Sequence, residues 1–364
     1  MCRWFAYISP TEPCLLEDVL ITPKHGLVKQ VHEHFLPGLV HHYPEDIEKG
    51  DALIRARNSV SNIDGVGIAW YTSSNADYEA GETGASADGV AKSGLRPACY
   101  RTIAPPINDL NFRSICANTE TRVLFAHIRA ASATPIVHVN NHPFTFGRHI
   151  FMHNGVVSDF SAIKRTMCMK MSDAAHAGVL GGTDSEHIAA LYMTHLTNGG
   201  PVESFQNEYD VQEMAVALHK AVADVLDCQE TLLGEKKRPN SLNLCVTDGI
   251  KLVAYRFRNH STQEPPSLYY STKAGTTLNR KYPDNPDGEP AATSDKSRRP
   301  IEKHGKHIII ASEPSTYQIK DWHLIGRNQV LMASHEGKVQ LHDIEIEDAW
   351  NAIDPSVDVP GAKP

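Results

Sequence analysis

Cys2 stands directly behind the initiator methionine, at the head of the apolar stretch MCRWFAYIS. Cysteine is small enough for a methionine aminopeptidase to trim Met1 ahead of it. Cys2 would then carry a thiol and a free α-amine on one residue, a nucleophile with its own base attached. An α-amine titrates near ~8, so at neutral pH a usable fraction is unprotonated and can take the thiol proton, directly or through one water. The competing reading is an inert buried thiol, the ordinary state of a structural cysteine.

Three further polar clusters each close an apolar run: FAHIRAAS with Arg129 and Ser132, FMHNG with Asn154 and Gly155, and GGTDSE with Asp184. Each has a structural explanation. Arg129 can pair with a surface carboxylate. Asn-Gly is the commonest tight hairpin turn. Thr183 and Glu186 form the ends of a capping box around Asp184. The segment after Asn154-Gly155, VVSDFSAIKRTM, does not return as an alternating strand. That pair therefore leaves a strand and presents a side-chain amide and a glycine N–H at its edge, the donors an oxyanion hole requires. Among the 20 histidines, His32 and His34 flank Glu33, and His41-His42 follow. Their spacing matches no tight helical ligand pair, so no metal site is assigned.

These residues need a scaffold. CRWFAYI is apolar on both alternating faces apart from Arg3, which predicts a strand buried inside a layered fold. DGVGIAWY (Asp64 to Tyr71), VLFAHI (Val123 to Ile128) and HIFMH (His149 to His153) predict further strands, with Asp64, Gly65 and Gly67 shaping backbone close to the nucleophile. Helical patterns start at Ser158, at Asp184 and, most clearly, over Val211 to Leu226. SLNLCVTDG and KLVAYRFRN flank an Asp248-Gly249 turn and read as a hairpin, and SLYYST and KHIIIASEP as two more strands. Thr277 to Gly305, rich in Pro, Asp, Ser and Lys, reads as a mobile insertion, and residues 351–364 as a flexible tail. Strands and helices without strict alternation predict mixed α and β layers, an α+β fold.

Composition narrows the setting. The 364 residues, 41% hydrophobic and 21% charged, suit a globular protein with a sizeable core. A net charge of -8 gives no electrostatic footprint for nucleic acid or an anionic membrane. Seven cysteines without a CxxC pair argue against a disulfide framework or zinc site and for a reducing compartment. No signal-peptide core and no run long enough to span a bilayer occurs, so the expected location is cytoplasmic.

In order along the chain, MCRWFAYIS, DGVGIAWY, FAHIRAAS, NNHPF, FMHNG, GGTDSE, SLNLCVTDG, PPSLYYST and ASEP together resemble a class II glutamine amidotransferase domain of the N-terminal-nucleophile superfamily. More narrowly they are similar to the fungal glutamine amidotransferase subunits of the alternative glutathione-degradation (Dug) complex. The matching blocks run from Cys2 to about Trp322. The resemblance implies a four-layer αββα sandwich, formed by a single domain over residues 2–350. It implies Cys2 as nucleophile with its own amine as base, and Asn154 and Gly155 as oxyanion donors. It further implies Arg129 for the substrate α-carboxylate, Asp184 for the α-ammonium and Ser132 as a substrate contact. Ala133 stands where the sugar-phosphate amidotransferases place a histidine, and His142 of NNHPF is read as structural.

The expected activity is γ-glutamyl amide hydrolysis, on glutathione or a related compound. No cofactor is implied, and the implied partner is a metallopeptidase-like subunit. No synthetase domain, sugar-isomerase domain or phosphate-binding GxxxxGK[ST] loop accompanies the motifs, so ammonia has no acceptor within this sequence. A glutaminase subunit feeding a separate synthase is the alternative, and a non-catalytic scaffold would have lost some of Cys2, Arg129, Asn154, Gly155 and Asp184. The nucleophile assignment makes a direct prediction: intact-protein mass spectrometry should show a chain beginning at Cys2. Retention of Met1 in active protein would exclude the α-amine as base.

Overall fold

RWFAYI offers water nothing but Arg3, and the structure buries every residue of it. The computed structural model describes residues 2–31, 64–74, 94–131, 134–282, 299–316 and 318–352. Its strands in chain order are β1 (Arg3–Ile8), β2 (Cys14–Leu15), β3 (Val66–Thr72), β4 (Arg96–Thr102), β5 (Glu120–Thr121), β6 (Val123–Ile128), β7 (Phe144–Phe146), β8 (His149–Val156), β9 (Ser241–Thr247), β10 (Leu252–Arg258), β11 (Tyr269–Ser271), β12 (Ile308–Ala311), β13 (His323–Leu324), β14 (Gln329–Ala333) and β15 (Val339–Asp343). Among the described residues, one sheet runs β13-β11-β12-β1-β6-β3-β4 and a second runs β15-β14-β10-β9-β8-β7. β1 is central to the first and antiparallel to both neighbours, with Phe5 opposite Ala126 on β6 and Ala311 on β12.

The period of two along each strand sorts side chains into three cores. From β1, Trp4, Ala6 and Ile8 face the second sheet and meet Ile150, Met152, Cys245, Ala254 and Leu331 between the sheets. Phe5 and Tyr7 face outward with Ile68 and Leu124, under Leu16, Phe112 and Leu278 of the short helices Leu16–Leu20, Leu110–Asn118 and Ala274–Leu278. The outer face of the second sheet, with Phe151, Leu244, Val246 and Val253, is covered by helices Phe160–Met169, Asp184–Leu196 and Val211–Leu233. The result is the expected α+β sandwich of four layers, αββα. Helix Val211–Leu233 begins at an Asp210–Glu213 capping box and runs past the expected end at Leu226.

Several local expectations change. Four residues, Asp248 to Lys251, join β9 to β10, because the Asp248 carboxylate accepts the N–H groups of Ile250 and Lys251 and widens the Asp-Gly turn. Ser158 does not cap the following helix. Its hydroxyl donates to the Pro239 carbonyl, and Asp159, at φ 58°, takes the cap position.

The insertion expected over 277–305 narrows from both ends. Thr277 and Leu278 close a helix, and Tyr282 is fully buried. The buried Glu12 carboxylate accepts hydrogen bonds from the Tyr282 hydroxyl at 2.8 Å and the Asn279 amide at 3.3 Å, while Arg280 pairs with Glu17 and Asp18. Two apolar side chains and one buried acceptor were enough to tie down a segment whose composition is otherwise that of a loop. Residues 283–298 lie outside the described residues. Of the expected tail, Ala352 is buried and donates its N–H to the Asn259 carbonyl at 3.1 Å; residues 353–364 lie outside the described residues.

Tyr282→Ala should therefore lower unfolding stability by about 3 kcal/mol, the cost of deleting a buried aromatic ring, with Glu12 left short of a donor. Denaturant unfolding checks this; a change within about 0.5 kcal/mol, the range of ordinary surface substitutions, would show that the segment is not anchored.

Candidate active site

Cys2 immediately precedes β1, where the β1–β6 register brings it beside the exit of β6. The Ala130 N–H donates to Cys2 Sγ at 3.3 Å, and the thiol donates to the Ala130 carbonyl at 3.5 Å. Burial pushes the thiol pKa up, opposed by the Ala130 hydrogen bond and the Arg129 charge. The resting group is therefore a thiol that needs a base.

Arg129 is fixed by its backbone. Its N–H donates to the Gly65 carbonyl at 2.9 Å, its carbonyl accepts from the Asp64 N–H at 3.3 Å, and the Asp64 carboxylate accepts from the Ala131 N–H at 2.7 Å. The glycines permit this lacing. Gly65 has φ 125°, and a Cβ on it would lie 2.3 Å from the Thr102 carbonyl oxygen; one on Gly67 would lie 1.9 Å from that of His142. Asp64, Gly65 and Gly67 thus shape the backbone beside the thiol.

Arg129 is 4% exposed, and its guanidinium donates to Asn141 Oδ1 at 3.0 Å, Thr134 Oγ1 at 2.7 Å and the Pro135 carbonyl at 3.1 Å. All three acceptors are neutral. Among the described residues Arg129 has no carboxylate partner, and its burial pulls its pKa down, countered by Cys2 and Asp64. A buried cation without a counter-ion is costly, so this one favours an incoming anion.

Asn154 and Gly155 lie near the end of β8, which continues through Val156 instead of ending at the pair. Asn154 is buried, and its side-chain amide makes no hydrogen bond to a described residue. Gly155 is exposed and has φ 152°; a Cβ there would lie 1.8 Å from the Ser241 carbonyl oxygen on β9. The next turn is caught by Asp184. Its Oδ2 accepts the Val157 N–H at 2.8 Å, and its Oδ1 accepts the Ser185 N–H at 2.8 Å and the Ser185 hydroxyl at 3.1 Å. The capping box around it is half formed. Thr183 Oγ1 accepts the Glu186 N–H, but the Glu186 carboxylate takes the N–H groups of Leu180 at 3.1 Å and Gly181 at 2.6 Å, because the glycine loop folds back over it.

The ends of β6 and β8 meet across the sandwich. His127 Nε2 donates to the His153 carbonyl at 3.2 Å, two residues before Arg129 and one before Asn154. Burial pushes the His127 imidazole down to about 3, so it donates as a neutral ring. Cys2, Arg129 and Asn154 thus stand at one end of the sandwich, with Asp184 tied to the strand that carries Asn154. Ser132, with Ala133, lies outside the described residues, as do His32, Glu33, His34, His41 and His42. Among the described residues no cluster of three or more His, Cys, Asp or Glu could hold a metal ion, and no helix is long and apolar enough to cross a membrane.

Two positioning residues escaped the sequence reading. Asn141 bridges the Arg129 guanidinium to the Thr102 carbonyl. Asn140 bridges the Pro135 carbonyl to the Gly182 N–H, joining the Arg129 loop to the Asp184 loop. Adjacent asparagines in NNHPF, with amides able to bridge backbone groups on two sides, were the available signal.

The profile of the class-II glutamine amidotransferases matches residues 52–354. A protein named probable glutamine amidotransferase DUG3, from Saccharomyces cerevisiae, is 28% identical over 356 residues, covering 94% of this chain and 84% of that protein. The solved structure of a glutamine aminotransferase class-II domain protein from Silicibacter pomeroyi aligns with a TM-score of 0.53 at 20% identity, over 94% of this chain and 99% of that one. That likeness is one of fold.

The site geometry predicts that Gly155→Ala destabilises the chain by more than about 2 kcal/mol, since the methyl group must displace β9 at a strained backbone angle. Thermal and denaturant unfolding measure it; a neutral effect would mean that the β8–β9 ladder gives way freely at this point.

Proposed function

The chain belongs to the class-II glutamine amidotransferases, and from that premise we propose that it hydrolyses γ-glutamyl amides with Cys2 as nucleophile. The observation that carries this reading is a thiol seated on Ala130, one residue from a buried arginine whose partners among the described residues are all neutral oxygens.

Arg129 receives the substrate α-carboxylate, for which a guanidinium fork is the matching donor. Asp184 receives the α-ammonium, and Ser132 is a further substrate contact. With Met1 removed, the Cys2 α-amine takes the thiol proton and the sulfur attacks the γ-carbonyl carbon. The oxygen becomes an oxyanion, met by the Asn154 side-chain amide and the Gly155 N–H. Each such donor is worth roughly 3 kcal/mol in the transition state. The protonated amine gives its proton to the departing nitrogen as the C–N bond breaks, and water then releases glutamate from the thioester. The Asn154 amide, which makes no hydrogen bond to a described residue, supports its part in this scheme. No cofactor is required.

We assign glutathione or a related γ-glutamyl compound as substrate, and a hetero-oligomer with a metallopeptidase-like subunit as the working form in the cytoplasm. The yeast relative supports this assignment through its family alone. The family description also favours a second reading, a glutaminase that passes ammonia to a separate synthase.

Purified protein, with and without a co-expressed partner, should cleave glutathione faster than glutamine or γ-glutamylcysteine. A preference for glutamine would move the assignment to the ammonia-supplying reading. Cys2→Ala should reduce turnover more than about a thousandfold, as loss of a covalent nucleophile does, with little change in thermal midpoint; near wild-type turnover would sink the mechanism.

A further inference from the structure

His153 and Ser185 each adjoin a residue of the proposed site, Asn154 and Asp184. Both are buried, at 2% and 4% exposure. They touch each other, with His153 Nδ1 2.9 Å from Ser185 Oγ. On its other side His153 Nε2 lies 3.3 Å from the Ser241 carbonyl oxygen. A carbonyl only accepts, so Nε2 carries a proton. Gly155 protects this contact: a Cβ there would lie 1.8 Å from that carbonyl oxygen and 2.8 Å from His153 Nε2.

The proton count then has two solutions. Ser185 Oγ sits within reach of both His153 Nδ1 and, at 3.1 Å, Asp184 Oδ1. A hydroxyl has one proton to donate. When His153 is neutral, its ring proton is on Nε2, and Nδ1 accepts the Ser185 hydroxyl. Asp184 Oδ1 then receives only the Ser185 N–H. When His153 is cationic, Nδ1 donates to Ser185 Oγ, and the hydroxyl turns to Asp184.

We propose that Ser185 and His153 are positioning residues for substrate binding, the direction of the Ser185 hydroxyl setting how many lone pairs Asp184 offers to a substrate ammonium. This rests on the reading of Asp184 as the ammonium partner. Burial pushes the His153 pKa down against the pull of Asp184, the charged group facing it from its own helix. From β6, His127 bonds the His153 carbonyl, and His142 stacks on His127 at 4.1 Å. Burial holds both of these rings neutral as well. At neutral pH the hydroxyl therefore points to His153 and Asp184 is open. In acid, below the ordinary imidazole range, His153 gains a proton and the hydroxyl occupies Asp184. The new positive charge also opposes an ammonium.

The test follows KM for glutamine and for 4-carbamoylbutanoate, which lacks the α-amine, from about pH 7.5 down to the lowest pH at which circular dichroism shows the fold intact, because burial moves His153 below the ordinary imidazole range. For wild-type enzyme, the glutamine KM should rise about tenfold in acid, the scale of one hydrogen bond to a charged group, and the desamino KM by less than about threefold. In Ser185→Ala the acid rise for glutamine should shrink to about threefold or less, and Ser185→Thr should restore it. An equal rise for both substrates in wild-type enzyme overturns the proposal without any variant; so does an undiminished rise in Ser185→Ala. A diazo-ketone mimic of glutamine separates the two levels. Cys2 labelled with a pH-flat KM removes the role of Ser185 alone, whereas failure to label Cys2 removes the hydrolase reading and this inference with it.

Discussion

The antiparallel register of β1 on β6 is the constraint from which the site follows. It sets Arg3 against Ile128 and Trp4 against His127, which leaves Cys2 beside the exit of β6, on the backbone of Ala130. A slip of one residue would turn Trp4, Ala6 and Ile8 out of the inter-sheet core and move the thiol off Ala130. Hydrophobic burial on both faces of β1 therefore fixes the position of Cys2. The same logic holds on β8, where Ile150 and Met152 face the inter-sheet core and Phe151 faces the helices.

Two arginines flank Cys2 and are treated oppositely. Arg3 has a buried carboxylate, Glu313, at 2.7 Å, which also receives His25 at 2.9 Å. Among the described residues Arg129 has the neutral oxygens of Asn141, Thr134 and Pro135 as partners. Removing one partner of a buried ion pair costs about 3–5 kcal/mol, so the Arg3–Glu313 pair is a structural fixture. Arg129 is buried with no carboxylate partner among the described residues, which fits the carboxylate-binding role proposed for it. Asn141 holds Arg129, and the adjacent Asn140 tethers the loop before helix Asp184–Leu196, so the groups proposed for the substrate carboxylate and ammonium are linked through neighbouring amides.

Around these groups burial holds three imidazoles uncharged. His127, His142 and His153 have lowered pKa values with desolvation as the leading cause. Neutral imidazoles can hydrogen-bond between the sheets without adding charge next to Arg129, whereas protonated ones would compete with it for an anion.

Much of the sandwich was legible in the chain. The both-faces-apolar stretch at Arg3 to Ile8, the run Val123 to Ile128 and the helix from Val211 became β1, β6 and the long helix, because periodic burial is a local property of sequence. The ordered motifs also pointed to the family and named Cys2, Arg129, Asn154, Gly155 and Asp184. The tertiary structure decided what these residues touch. No sequence pattern states that Arg129 is held by neutral oxygens, that Glu186 abandons Thr183 for the Leu180–Gly181 loop, or that Tyr282 reaches Glu12, 270 positions earlier. Those outcomes depend on which distant groups remain unsatisfied once the layers close, and a polar group's partner is fixed only when burial removes water as the alternative.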